Sequence, residues 1–206
     1  MNFNFFINTL KHKLSDTPNN LTELMGEFYM GDRIKMLNAN PNPRLSAVMI
    51  MLYEKNKETY FTLIERPKYD GVHSGQIAFP GGSKDENDKN LEYTAVRELN
   101  EEVGITDEIE IIGSLSEVYI PPSKFLVTPF IGVLKNKPTY IKDDFEVETI
   151  IETPLSLILD DSIVKKGWVH VGNNKLKMKV PYFDIYGHMV WGATAIILSE
   201  LKAILK

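Results

Sequence analysis

The chain has 206 residues, 43% hydrophobic and 25% charged, which are ordinary values for a globular protein with one sizeable core and, at most, one small second domain. Its net charge of −5 argues against general nucleic-acid affinity, which needs a basic footprint, so a polyanionic ligand has to be met by local cations. Without cysteine there are no disulfides, thiolate metal sites or thiol nucleophiles, and no apolar run approaches a membrane span, so the expectation is a cytoplasmic protein with neither nucleic-acid nor membrane partners.

Apolar residues at 3, 5, 6, 7 and 10 predict a short amphipathic helix, broken by Ser15-Asp16-Thr17-Pro18-Asn19-Asn20. The same stretch lacks the basic start and small-residue cleavage site of a signal peptide. Asn20 can cap a second helix over 21–29, and residues 38–43 (NANPNP) form a loop or linker. Residues 1–40 therefore read as an N-terminal helical extension, which either covers a sheet or pairs two subunits in a homodimer. Residues 41–206 read as the functional domain. Two apolar runs, 45–53 and 59–64, flank a polar turn and predict a β-hairpin. Arg66 follows it at a strand end, where a guanidinium can grip a phosphate in fork geometry. Beyond residue 105, segments 108–115 and 125–134 read as strands, with Ile120-Pro121-Pro122-Ser123-Lys124 as a loop. Pro154 starts a short helix, Gly172-Asn173-Asn174 marks a hairpin turn, and 191–205 reads as a final amphipathic helix. Strands alternating with a few helices predict a mixed sheet with helices on both faces.

Chemistry concentrates between Phe79 and Ile105. A Phe79-Pro80-Gly81-Gly82 turn precedes a predicted helix that Gly104 ends. Glu98, Glu101 and Glu102 share one helical stripe, beside the apolar stripe of Ala95, Val96, Leu99 and Val103. Like charges at these spacings repel by roughly 0.2–0.5 kcal/mol per pair, and Arg97 alone lies close enough to offset them. An oxygen-rich cluster of this kind suits Mg²⁺ or Mn²⁺. Bare Gly-Gly backbone beside it can approach a ligand or offer carbonyls to a metal. The bland alternative is a solvated acidic face, but such a face more often alternates in sign.

Gly81-Gly82, a spacer and Arg97-Glu98-Leu99-Asn100-Glu101-Glu102-Val103-Gly104-Ile105 resemble the Nudix box, the signature of Mg²⁺-dependent hydrolases of nucleoside diphosphates linked to another group. The match is complete from Arg97 through Ile105. Counted back from Arg97, Lys89 stands where that family has Glu, and Ser83 where it has Gly. Counted forward from Gly82, Asp88 takes the Glu position, and one inserted loop residue accounts for both. Upstream, Leu63-Ile64-Glu65-Arg66 and His73-Ser74-Gly75-Gln76-Ile77-Ala78-Phe79-Pro80-Gly81-Gly82 are similar to the additional motif of the coenzyme A pyrophosphatase branch. Pro67 and Asp70-Gly71 depart from it, the latter where a Leu-Arg pair is expected.

The resemblance implies a Nudix-type α/β/α sandwich with a mixed β-sheet. It implies that Glu98 and Glu102 hold the main metal with the Gly82 carbonyl, while Glu101 completes the cluster or takes a proton from water, directed by Arg97. Glu146, or else Glu148, is the expected further carboxylate from a distal loop. Arg66, His73, Gly75, Gln76 and Gly81 are the expected substrate contacts, the substrate being a small CoA-like nucleotide. Hydrolysis of CoA or acyl-CoA then gives 4′-phosphopantetheine, or its acyl form, and adenosine 3′,5′-bisphosphate. Another substrate, such as ADP-ribose, NADH or a dinucleotide, stays open, as does a non-catalytic nucleotide-binding regulator.

Overall fold

The computed structural model describes residues 2–16, 33–40, 42–68, 73–171 and 176–206. The helix expected over 21–29, Asp70-Gly71 and the turn at 172–174 lie outside the described residues. Helix α1 spans Phe3–Asp16, α2 Arg33–Asn38, α3 Leu91–Val103, α4 Leu155–Leu159 and α5 Gly192–Leu205. The strands are β1 (Arg44–Lys55), β2 (Glu58–Glu65), β3 (Ile77–Ala78), β4 (Gly81–Ser83), β5 (Glu110–Ser114), β6 (Val118–Ile120), β7 (Phe125–Val133), β8 (Thr149–Pro154), β9 (Val164–Val171), β10 (Leu176–Ile185) and β11 (His188–Val190).

Strand β1 is nearly all apolar because both of its faces are covered. Ala47, Met49, Met51 and Tyr53 point to one side and pack with Ala95, Leu99 and Val103 of α3. Ile50 and Leu52 point to the other and join a core with Ile7 and Leu10 of α1 and Ile196, Leu198 and Leu201 of α5. The expected hairpin is present, Leu52 opposite Phe61 and Lys55 opposite Glu58. On its other edge β1 pairs parallel with β7, and β4 joins it antiparallel through Ala47 and Val48. The resulting eight-stranded mixed sheet runs β3-β2-β1-β7-β5, with β6 on β7 and β8 on β2.

Two features differ from the sequence expectation. Strands β9, β10 and β11 form a separate three-stranded antiparallel sheet. Helix α5 is not amphipathic in use: Ser199, Glu200 and Lys202 are buried along with its apolar residues. It lies among α1, α4, β6 and β10, so each of its faces meets protein. Its buried polar groups are matched, Glu200 accepting from Ser116 N–H and Oγ, and Lys202 pairing with Asp161. Burial pushes the Glu200 carboxyl up from its ordinary pKa, against the Ser116 hydrogen bonds. Among the described residues no helix is long and apolar enough to cross a membrane.

Candidate active site

The site forms where β4 passes the end of α3. Asn90 caps α3 by accepting the Tyr93 N–H, and Gly104 ends it in the left-handed conformation at φ 74°, its N–H on Asn100 O. The Gly104 end is the one the sequence predicts. Glu102 is only 1% exposed. Its Oε2 accepts the Gly81 N–H at 2.8 Å, and Arg66 Nη2 reaches Oε1 at 3.3 Å. Burial pushes the Glu102 carboxyl up to about 8, although Arg66 and the Gly81 N–H pull the other way. Glu98 is also raised by burial, against the pull of Arg97.

Arg97 gathers the rest of the acids. It pairs with Asp88 Oδ2 at 2.9 Å, Glu98 Oε1 at 3.0 Å and Glu101 Oε2 at 2.6 Å, and donates to Ser83 O at 3.1 Å. Asp88, 4% exposed, also accepts the Asp85 N–H and the Thr94 hydroxyl. The Arg97 guanidinium holds its carboxyl well below the usual carboxylate range. Asp88 thus fixes Arg97, and the longer loop folds so that Asp88, rather than Lys89, reaches it.

Glu146 arrives from the loop before β8. Asp143 Oδ1 accepts the N–H groups of Phe145 and Glu146, and the Asp143 N–H donates to Glu102 O, so this loop is tied to α3. Ligand atoms of Glu98, Glu102 and Glu146 lie within 4.8 Å of one another. Three carboxylates, one almost fully buried and two with raised pKa, form a donor set that suits a hard divalent cation. Glu101 is not among these three. It is exposed and faces Arg97. Glu148 is exposed and likewise outside the group.

The two glycines make the approach possible in different ways. A Cβ on Gly82 would stand 2.5 Å from the Glu98 carboxyl, whereas one on Gly81, at φ 152°, would meet Ala47 O of the adjacent strand at 2.3 Å. A cavity of about 860 Å³ opens beside them. Of the residues expected to contact substrate, Arg66, His73, Gln76 and Gly81 line it, together with Gly82. His73 Nδ1 and Gln76 Oε1 are 3.0 Å apart. Gly75, at φ 63°, does not line the cavity; its N–H donates to Pro67 O. Arg66, expected to grip phosphate, donates instead to Gly81 O at 3.0 Å and to Glu102. Sequence reading missed Met36 of α2, Met178 and Val180 of β10, His170 of β9 and Thr194 of α5, which also border the cavity. No local pattern marks them, because they meet only through tertiary packing.

A family model described as the NUDIX domain matches residues 43–171. The uncharacterized Nudix hydrolase NudL of Photorhabdus laumondii is 34% identical over 161 residues, covering 78% of this chain and 84% of that protein. The protein of the same name from Cronobacter sakazakii is 31% identical over 189 residues, covering 91% and 96%. Among solved structures, the Nudix hydrolase RenU of M. smegmatis superposes with a TM-score of 0.55 at 13% identity, over 79% of this chain and 86% of that one, a likeness of fold.

Proposed function

Since the chain belongs to the Nudix hydrolase family, whose members act on nucleoside diphosphate derivatives and generally need a divalent metal ion, we propose that it hydrolyses the diphosphate bond of coenzyme A or an acyl-coenzyme A with Mg²⁺ or Mn²⁺. The products are 4′-phosphopantetheine, or its acyl form, and adenosine 3′,5′-bisphosphate. The observation that carries this reading is the cavity that starts at the Gly81-Gly82 turn. Its walls include Met36, Val48, Phe79, Ile120, Phe125 and Val180, which suit a long, weakly polar arm better than a second nucleoside. His73, Gln76 and Phe79 of the segment resembling the coenzyme A branch line the same cavity.

Glu98, Glu102 and Glu146 would hold the metal, with the Gly82 carbonyl as a further oxygen. A divalent cation bound there supplies charge neutralisation at the diphosphate oxygens and acidity to the attacking water. Arg66 and the Gly81 N–H keep Glu102 oriented. Arg97 keeps Glu98 and Glu101 in register on one helix face. Glu101, solvated and outside the tight group, is the proposed acceptor of the proton that water loses as its oxygen attacks phosphorus. The bridging P–O bond breaks, and the second phosphoryl group leaves with the electron pair.

Product analysis by mass tests the reading. Purified protein is incubated with Mg²⁺ or Mn²⁺ and CoA, an acyl-CoA, ADP-ribose, NADH or a diadenosine polyphosphate. Adenosine 3′,5′-bisphosphate appearing fastest from a coenzyme A species is the expected result. Turnover of ADP-ribose or NADH alone would keep the hydrolase and remove the coenzyme A assignment.

A further inference from the structure

The proposed reaction leaves one half of the substrate without a place. The cavity beside Gly81-Gly82 takes the long, weakly polar arm, and the acid cluster meets the diphosphate through a metal. The nucleoside half then leaves the cluster away from the cavity. Its base has two flat apolar faces, and an aromatic side chain is the partner that suits one of them.

The loop before β8 presents such a side chain. Phe145 is 92% exposed, more than any other large apolar side chain among the described residues. Single exposed apolar residues are ordinary on protein surfaces, so exposure alone means little. Its place distinguishes it. Phe145 immediately precedes Glu146, with Cα atoms about 3.8 Å apart across the peptide bond. Glu146 in turn brings a carboxylate oxygen within 4.8 Å of those of Glu98 and Glu102. The backbone around the ring is held on both sides. The Phe145 N–H donates to Asp143 Oδ1 at 2.7 Å, the Asp143 N–H to Glu102 O at 3.0 Å, and the Val147 N–H to Asp143 O at 2.9 Å. Val147 itself is buried in the core under α3. A ring carried on a loop already ordered in this way costs little further ordering when a ligand covers it. The other rings on the two elements that supply the acids are placed elsewhere. Tyr140 is turned inward onto the Thr62 and Tyr53 hydroxyls. Tyr93 lies in the first turn of α3, roughly 13 Å along the helix axis from Glu102.

We infer that Phe145 is a stacking platform for the nucleobase of the substrate, so that one short loop supplies both a metal-binding carboxylate and a base contact. The inference rests on the proposed function, from which it takes the direction of the nucleoside, and deepens it by naming a specificity-determining side chain.

Binding and turnover of the full chain are measured separately. Adenosine 3′,5′-bisphosphate and ribose 5-phosphate, which lacks a base, are titrated calorimetrically with Mn²⁺ present into wild type, Phe145→Ala and Phe145→Trp. Phe145→Ala is expected to weaken the nucleotide roughly fivefold or more, the scale of one base–aromatic stack. Ribose 5-phosphate, and Mn²⁺ titrated alone, are expected to keep their wild-type affinity. Phe145→Trp is expected to retain nucleotide affinity, and the tryptophan emission of that variant to be quenched by the nucleotide beyond any change in wild type. Undetectable nucleotide affinity in wild type, or equal affinity in wild type and Phe145→Ala, overturns the platform. A loss of Mn²⁺ affinity in step with the nucleotide also overturns it, since Phe145 would then only support the Glu146 loop. So does a change in sedimentation without a change in nucleotide affinity, which would set the ring against a second copy of the chain. In turnover, kcat/KM for CoA is expected to fall in Phe145→Ala by the same factor as the affinity, through KM. A wild type whose nucleotide affinity depends on the ring, yet which hydrolyses no coenzyme A species, removes the proposed reaction and leaves the platform standing. Coenzyme A hydrolysis that Phe145→Ala leaves unchanged does the reverse.

Discussion

At the scale of single residues, adjacent carboxylates on α3 have been given opposite environments. Glu102 is shut in beside the Gly81 N–H, while Glu101 stands in water against Arg97. If Glu102 holds metal and Glu101 handles the proton, Glu101→Gln and Glu102→Gln should both lower kcat by about 100-fold or more. They should differ in a second measurement. Saturating Mg²⁺ or Mn²⁺ at about 100 times Kd stabilises a binding-competent protein by about 2.7 kcal/mol, so thermal unfolding should shift in wild type and Glu101→Gln but not in Glu102→Gln. Equal shifts in both variants would reverse the assignment. Asp88 gives a pH prediction. Its carboxyl is held below the unfolded value, so the stability it contributes is fully present above about pH 4 and fades as pH falls toward the lower folded value. Asp88→Asn, which leaves a half-buried Arg97 short of its partner, should cost about 3 kcal/mol at neutral pH in urea unfolding. That difference should shrink below about pH 4.

At the scale of elements, the site is a junction of one strand, one helix and one loop, each with its own tolerance. Gly81→Ala drives a methyl into the backbone of β1, where nothing can yield, and should destabilise the protein by several kcal/mol or prevent folding. Gly82→Ala meets the end of the Glu98 side chain instead, so the fold should survive while metal-dependent turnover falls. Circular dichroism and turnover, read together, separate the two. The loop before β8 is oriented by Asp143, which bonds to Glu102 O and to the N–H groups of Phe145 and Glu146. Asp143→Ala should weaken metal affinity by roughly 10- to 100-fold, as loss of an outer orienting group generally does, and calorimetry with Mn²⁺ reads this directly.

At the scale of the whole molecule, residues outside the region matched by the family model complete the body and the cavity. Ile7 and Leu10 of α1 sit in the same core as α5, so the N-terminal helix is packed into the fold rather than appended to it. Leu10, 1% exposed, should cost about 2–5 kcal/mol when cut to Ala, measured by denaturant midpoint, with the acid cluster on the opposite sheet face left in place. Met36, Met178, Val180 and Thr194 border the cavity from α2, β10 and α5. The shape of the cavity is therefore a property of the full chain.

What the sequence determined is what neighbouring residues determine. The β1–β2 hairpin, the capped box helix, the Gly-Gly turn and the crowded acids are local, set by periodicity, by backbone freedom at glycine and by spacings of three and four on a helix. Glu98 and Glu102 were legible as a pair for that reason. Tertiary structure decided the rest, because it depended on which distant surfaces came to lie together. Glu146 joins the acid pair across more than forty residues of chain, Arg66 turns to Glu102 instead of lying open, and the small sheet closes one side of the cavity. Helix α5 carries a polar stripe in sequence and is buried on every side in the fold, since four other helices and strands pack against its surface. A side chain's neighbours along the chain fix its local geometry, and only the packed fold fixes what it faces.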